Sequence, residues 1–200
     1  QDEVFPTTIP DGMGIAIWGA TDEMLAGLRA AGIGWVTDNL MWSDCEKEKV
    51  KYDFSSYEQT IKKYREHGFR MALTLSGGNE LYEPPDTTDS PFGEEMKAWV
   101  VPKSEEGRKA WVRWAVATIR HFKGLGITWL LFGEPESIGL TPAEYCRFNE
   151  EVFGKIKKEL PNEILSGPGT APHGSSPETV TNPEYSKGIV EAGCHKHWDV

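Results

Sequence analysis

Short apolar runs alternate with amphipathic, helix-length stretches along this 200-residue chain, and that alternation restricts the fold more than any other feature. The apolar runs fall at residues 14–18, 33–38, 69–75, 127–133 and 163–166. Between them lie helical patterns: Thr21 to Ala31; Ser55 to Gly68, with Tyr57, Ile61 and Tyr64 on one face; and Ser104 to Phe122, with Ala110, Trp111, Trp114, Ala115, Thr118 and Ile119 at helical spacing. Thr141 to Pro161 presents Tyr145, Phe148, Val152 and Ile156, and Pro183 to Ala192 forms the last helix. Ser55 with Glu58, and Thr141 with Glu144, have capping-box spacing. Trp198 to Val200 reads as the start of a sixth strand. Strands separated by helices of this length imply βαβ units and a parallel sheet.

Two parallel architectures fit, an open doubly wound sheet and a (β/α)8 barrel. The first strand runs into Trp18-Gly19-Ala20-Thr21, which lacks the Gly-rich phosphate turn of a dinucleotide fold. Polar and aromatic residues recur instead just after successive strands: Trp18; Asp38, Asn39 and Trp42; Asn79 and Tyr82; Glu134; His173. In a barrel those positions gather on the C-terminal face, where barrel active sites lie. The reading is therefore α/β, of (β/α)8 TIM-barrel type, with about five and a half βα units in residues 1–200. A full barrel needs roughly 250 residues, so the chain reads as the N-terminal portion of one such domain. A complementing chain or self-association would cover the open barrel edge.

Charge and composition narrow the partners. A formal net charge of -10 leaves no basic surface for a phosphate backbone, so no nucleic-acid partner is expected. No apolar run approaches the roughly 18 residues of a membrane span. The 3 cysteines show no CxxC spacing, and Cys194-His195-Lys196-His197 reads as polar turn residues before a strand, so neither metal nor cofactor is expected. The polar opening from Gln1 fits a secreted or periplasmic mature protein. The 8 Trp, 8 Phe and 6 Tyr fit a large core, and equally a cleft lined by flat rings.

Ile127 to Glu136 (ITWLLFGEPE) carries the most chemistry. A buried apolar strand ends in Gly133, then Glu134, then a proline that stops the strand. A carboxyl at a barrel mouth among aromatic walls is partly desolvated, which raises its proton affinity as a general acid requires. A carboxylate there could equally cap the following turn or pair with an arginine.

At this segment the sequence resembles the clan A glycoside hydrolases, closest to their xylosidase and iduronidase-like branch. Their fourth strand commonly ends Trp-Glu-Ile-Trp-Asn-Glu-Pro-Asn, with which Trp129 to Glu136 aligns without gaps. Gly32 to Ser55 is similar to their second strand with its Trp-Ser and Tyr-Asp-Phe features, and Leu73 to Tyr82 (LTLSGGNELY) to their third strand and loop. The resemblance implies a retaining glycosidase in which Glu134 is the general acid/base. A second carboxylate about 5–5.5 Å away would be the nucleophile, on a seventh strand outside this chain. It implies substrate contacts for Trp18, Asp38, Trp42, Asn79, Tyr82, Gly133 and His173. Two positions depart from the pattern: Gly133 stands where Asn is usual, and Thr37 where Arg is usual. Those departures favour an alternative, a non-catalytic carbohydrate-binding protein that keeps the cleft.

Overall fold

The computed structural model of the chain describes residues 12–84, 101–170 and 182–200. Five strands, β1 (Gly14–Ala16), β2 (Trp35–Met41), β3 (Arg70–Ser76), β4 (Ile127–Leu131) and β5 (Ile164–Leu165), form one sheet. They lie in the order β1-β2-β3-β4-β5, every neighbouring pair parallel. A doubly wound sheet would reverse direction around its first strand. This one never reverses, so the architecture is that of a partial (β/α)8 barrel.

Helices fill the connections: α1 (Asp22–Ala30), the short α2 (Trp42–Cys45), α3 (Ser55–Glu66), α4 (Glu105–His121), α5 (Pro142–Glu159) and α6 (Asn182–Glu191), then a 3-10 turn at Cys194–His197. Thr21 caps α1 by accepting the Met24 N–H at 3.2 Å. The capping box of α5 forms as the sequence predicts, between Thr141 and Glu144. The one expected at Ser55 does not. Phe54 is the N-cap of α3 and Ser55 lies inside the helix, because Asp53, two residues earlier, accepts the Ser55 N–H at 2.9 Å. Hydrogen bonding from the Ser55 side chain, together with that N–H, holds the exposed Asp53 carboxyl below its ordinary pKa. Gly68 follows α3 with φ +76°, a conformation that side-chain-bearing residues rarely adopt.

Side chains alternate across a strand, and the register sorts them into two faces. Met71 lies between Val36 and Ile127, Leu73 beside Trp129, and Leu75 beside Leu131; all are buried under the helices. The opposite, inner face carries Thr37, Asn39, Met41, Ala72, Thr74, Thr128 and Leu130. The helix-side core is unusually aromatic. Trp111 stacks on Phe132 at 4.4 Å, and Trp42 lies between Tyr82 at 5.1 Å and Trp114 at 6.3 Å.

The end of the chain differs from expectation. Residues 198–200 run beside β5 without becoming a strand, although the Asp199 N–H donates to the Leu165 carbonyl at 2.7 Å and the Gly167 N–H to Val200 at 3.2 Å. The Asp199 carboxylate accepts the Leu165 N–H at 2.9 Å, occupying a donor that a backbone ladder would use, and also binds Lys157. Cys146 on α5 and Cys194 form a disulfide, a pairing that cysteine spacing alone did not reveal. His197, in the same tract, pairs with Glu150 at 2.6 Å.

Candidate active site

In a parallel sheet all C-terminal strand ends lie at one edge, and every expected site residue with described coordinates except Asp38 stands at or beyond such an end. Trp18 follows β1, Asp38 is the middle residue of β2, Trp42 opens α2, Asn79 and Tyr82 follow β3, and Gly133 and Glu134 follow β4. His173 lies outside the described residues. Sharing an edge is not sharing a cleft. The side chains separate into three groups.

The first group is Glu134 itself. After β4 the backbone enters the left-handed region twice, at Phe132 (φ 54°) and at Glu134 (φ 49°). Non-glycine residues pay roughly 1–2 kcal/mol for that conformation. The first turn sends Phe132 into the helix-side core, where Trp111 and Phe148 pack on it. The second presents Glu134 to solvent at the sheet edge, not among the desolvating aromatic walls expected from the sequence, because Phe132 turns away into the core. Backbone bonds hold this shape: Gly133 bridges to Gly169 beyond β5, the Glu134 N–H donates to the Gly169 carbonyl at 2.9 Å, and the Ser137 N–H donates to the Glu134 carbonyl at 2.8 Å. A Cβ at Gly133 would meet nothing within 4 Å.

The second group is Trp42, Asn79 and Tyr82, brought together by a carboxylate that sequence reasoning passed over. Glu46, only 1% exposed, accepts the Trp42 indole N–H at 2.5 Å, the Val50 N–H at 2.6 Å and the Tyr82 hydroxyl at 2.5 Å. Its own carbonyl accepts from the Asn79 amide at 2.8 Å, while the Asn79 carbonyl oxygen takes the Leu81 N–H. Trp42 is 1% exposed and lies in the core; Asn79 is buried. This group ties the loop after β2 to the loop after β3. Lys49, over the Tyr82 ring at 4.6 Å, covers it from outside. Glu46 was hidden because it sits in a charged run, Glu46 to Lys51, that reads as solvated surface, and two of its four partners, Asn79 and Tyr82, lie 33 and 36 residues away.

The third group places Trp18 with Asp38. Asp38 belongs to the helix-covered face, where its Oδ2 accepts the Tyr64 hydroxyl of α3 at 2.7 Å and its Oδ1 the Asn39 N–H at 2.8 Å. Burial pushes the Asp38 carboxyl up, against the pull of those two hydrogen bonds. Asn39, its neighbour, occupies the inner face level with Thr74 and Leu130. Thr37 is on the inner face too. Trp18 and Asp38 line one cleft of about 490 Å³, open between the loop after β1 and α3.

Among the described residues no cluster of His, Cys, Asp and Glu could hold a metal ion, and no helix is long and apolar enough to cross a membrane.

No family model matches the chain, and no curated protein matches it. Solved structures do. A family 39 glycoside hydrolase from Bacteroides cellulosilyticus superposes with TM-score 0.68 at 20% identity, over 92% of this chain and 36% of that one. An exo-β-1,4-mannosidase from an Opitutaceae bacterium gives 0.58 at 19% identity, over 78% and 31%. An endoglucanase from Thermotoga maritima gives 0.61 at 16% identity, over 80% and 52%. The chain thus spans about a third of the length of the first two. At such identities the likeness is one of fold: five parallel strands and their helices arranged as in part of a glycoside-hydrolase (β/α)8 barrel.

Proposed function

We propose that this chain carries the acid/base portion of a retaining glycoside hydrolase acting on an oligosaccharide or polysaccharide. Glu134 donates a proton to the departing glycosidic oxygen and then deprotonates the water that releases the sugar. The nucleophilic carboxylate belongs to a strand outside residues 1–200. The observation that carries the reading is Glu134 held in a left-handed conformation at the open end of β4. Strained backbone persists where surrounding bonds over-determine it, and it gathers at active sites. The likeness to barrels of glycoside hydrolases supports the reaction class. The Cys146–Cys194 disulfide supports an exported protein, since such bonds persist in oxidising compartments.

Gly133 favours a second reading, a carbohydrate-binding protein without turnover, because glycine offers no side chain to the sugar 2-hydroxyl.

The test uses a polypeptide containing this chain together with the strands that close the barrel. Glu134→Gln should slow hydrolysis of aryl glycosides with poor leaving groups by roughly 10²–10⁴-fold, and that of activated ones far less. Azide should restore part of the rate by attacking the accumulated glycosyl-enzyme. Gly133→Asn, which has room, should raise turnover. Sugar binding with no hydrolysis across a broad aryl-glycoside panel, unchanged by Gly133→Asn, would establish the second reading instead.

A further inference from the structure

Phe132 is the last side chain before Glu134, since Gly133 has none. It follows directly on β4, a strand paired on both sides, by β3 and by β5, so its surroundings do not depend on the open edge of the sheet. Its φ of 54° brings a Cβ too close to the following carbonyl oxygen, and a phenylalanine left to itself would return to negative φ. Something must hold it there.

The ring supplies the answer. It is fully buried, with Trp111 of α4 nearly parallel to it at 4.4 Å and 21°, and Phe148 of α5 edge-on at 5.1 Å and 74°. Trp111 and Phe148 meet edge-on in turn, at 5.2 Å. Ring pairs in these geometries attract beyond the area that they bury. The Trp111 ring is itself fixed, because its indole N–H donates to the Gly77 carbonyl at 3.0 Å, one residue past β3. The Phe132 N–H donates to the Leu75 carbonyl at 2.9 Å. Ring and backbone of Phe132 are thus both registered on the end of β3.

From this geometry we infer that Trp111 is a positioning residue for Glu134. Locked to Gly77, it clamps Phe132 in the left-handed conformation that turns the chain outward and aims the carboxylate. Without the stack, Phe132 rotates back, and Gly133, which accepts almost any conformation, passes the rotation on to Glu134. Trp111 acts only through Phe132. Its consequence for catalysis rests on the Glu134 reading; its hold on the turn does not.

The barrel-completed polypeptide is compared with its Trp111→Leu, Trp111→Phe and Ile119→Ala variants. Ile119 is fully buried on the same helix about two turns further on, so its truncation weakens the core without taking a ring from Phe132. The Phe132, Glu134 and Ser137 amides bond to the Leu75, Gly169 and Glu134 carbonyls, and their hydrogen exchange reports the turn independently of activity. Trp111→Leu should speed exchange at these amides about tenfold more than Ile119→Ala does. It should also lower kcat for poorly activated aryl glycosides about a hundredfold with KM little changed, the scale expected for a reacting group misplaced by about 1 Å. Trp111→Phe, which keeps a stacking ring, should restore most of both. If Trp111→Leu does not fold, Phe148→Leu removes the other ring and carries the same comparison. Exchange or kcat changed no more than in Ile119→Ala would overturn the inference. Faster exchange at these amides, in a protein whose wild type hydrolyses no glycoside, would sink the Glu134 reading and leave the clamp standing.

Discussion

The hydroxyl of Tyr64 donates to Asp38 across 2.7 Å, joining α3 to β2 inside the helix-covered layer. Burial raises the Asp38 carboxyl above its ordinary value. The folded chain therefore holds the Asp38 proton more tightly than the unfolded chain does. This contribution to stability is fully present below the unfolded pKa, near 3.9. It is lost as pH rises through the folded value. Asp38→Asn cannot ionise, so the variant's stability relative to the wild type should increase across that mildly acidic window and then level off. Urea midpoints measured at a series of pH values check this, and a pH-independent difference would contradict it. Tyr64→Phe removes a donor from a buried carboxylate and should cost about 1–3 kcal/mol.

How much of this was legible depended on sequence distance. The strand–helix alternation was visible because each element is specified locally: Thr141, Pro142 and Glu144 cap α5 within four residues, and the apolar stripe of α4 repeats at helical spacing. The placement of Glu134 after β4 was visible for the same reason. What could not be read was where side chains meet. Asp38 and Asn39 are adjacent and differ in face by the parity of one residue, so register decides which points toward α3. Trp42 reads as an aromatic wall until Glu46 and Trp114 are seen around it. The disulfide depends on α5 and the final 3-10 turn coming together, which no local pattern encodes.

The Cys146–Cys194 bond closes a loop with a sequence separation of 48. In the chain-entropy account a loop of that length contributes about 4 kcal/mol, and measured losses for native bonds are commonly 2–5 kcal/mol. Cys146→Ser with Cys194→Ser should lower the denaturation midpoint by a corresponding amount. A reducing agent should produce the same shift in the wild type and none in the double variant. Equal midpoints with and without reductant would show that the bond contributes nothing.

Strand β1 is only three residues long, pairs with β2 on one side, and is exposed along its length; Ile15 at its centre is 37% exposed. Among the described residues nothing pairs with its other edge. An apolar, open edge strand is a template for association. The 200-residue chain on its own should therefore sediment as concentration-dependent oligomers. Ile15→Lys, which places a charge on the edge, should shift the distribution toward monomer. A monomer at all accessible concentrations, unaffected by the substitution, would refute this.

Glu134 offers a test in which stability and activity move in opposite directions. Its φ of 49° is strained for a side-chain-bearing residue and comfortable for glycine. The Glu134 side chain is exposed, so deleting it removes little packing. Glu134→Gly should leave stability unchanged or raise it by up to about 1 kcal/mol, the balance of relieved strain against greater freedom of the unfolded chain. Glu134→Ala keeps the strain and should not show that gain. Both should lose hydrolysis of poorly activated glycosides to the same extent, because both remove the proton donor. Thermal denaturation of the two variants alongside leaving-group kinetics in the barrel-completed protein measures each arm. If Glu134→Gly were destabilised well beyond Glu134→Ala, the side chain would be a structural bond of the turn, and the left-handed backbone would no longer point to catalysis.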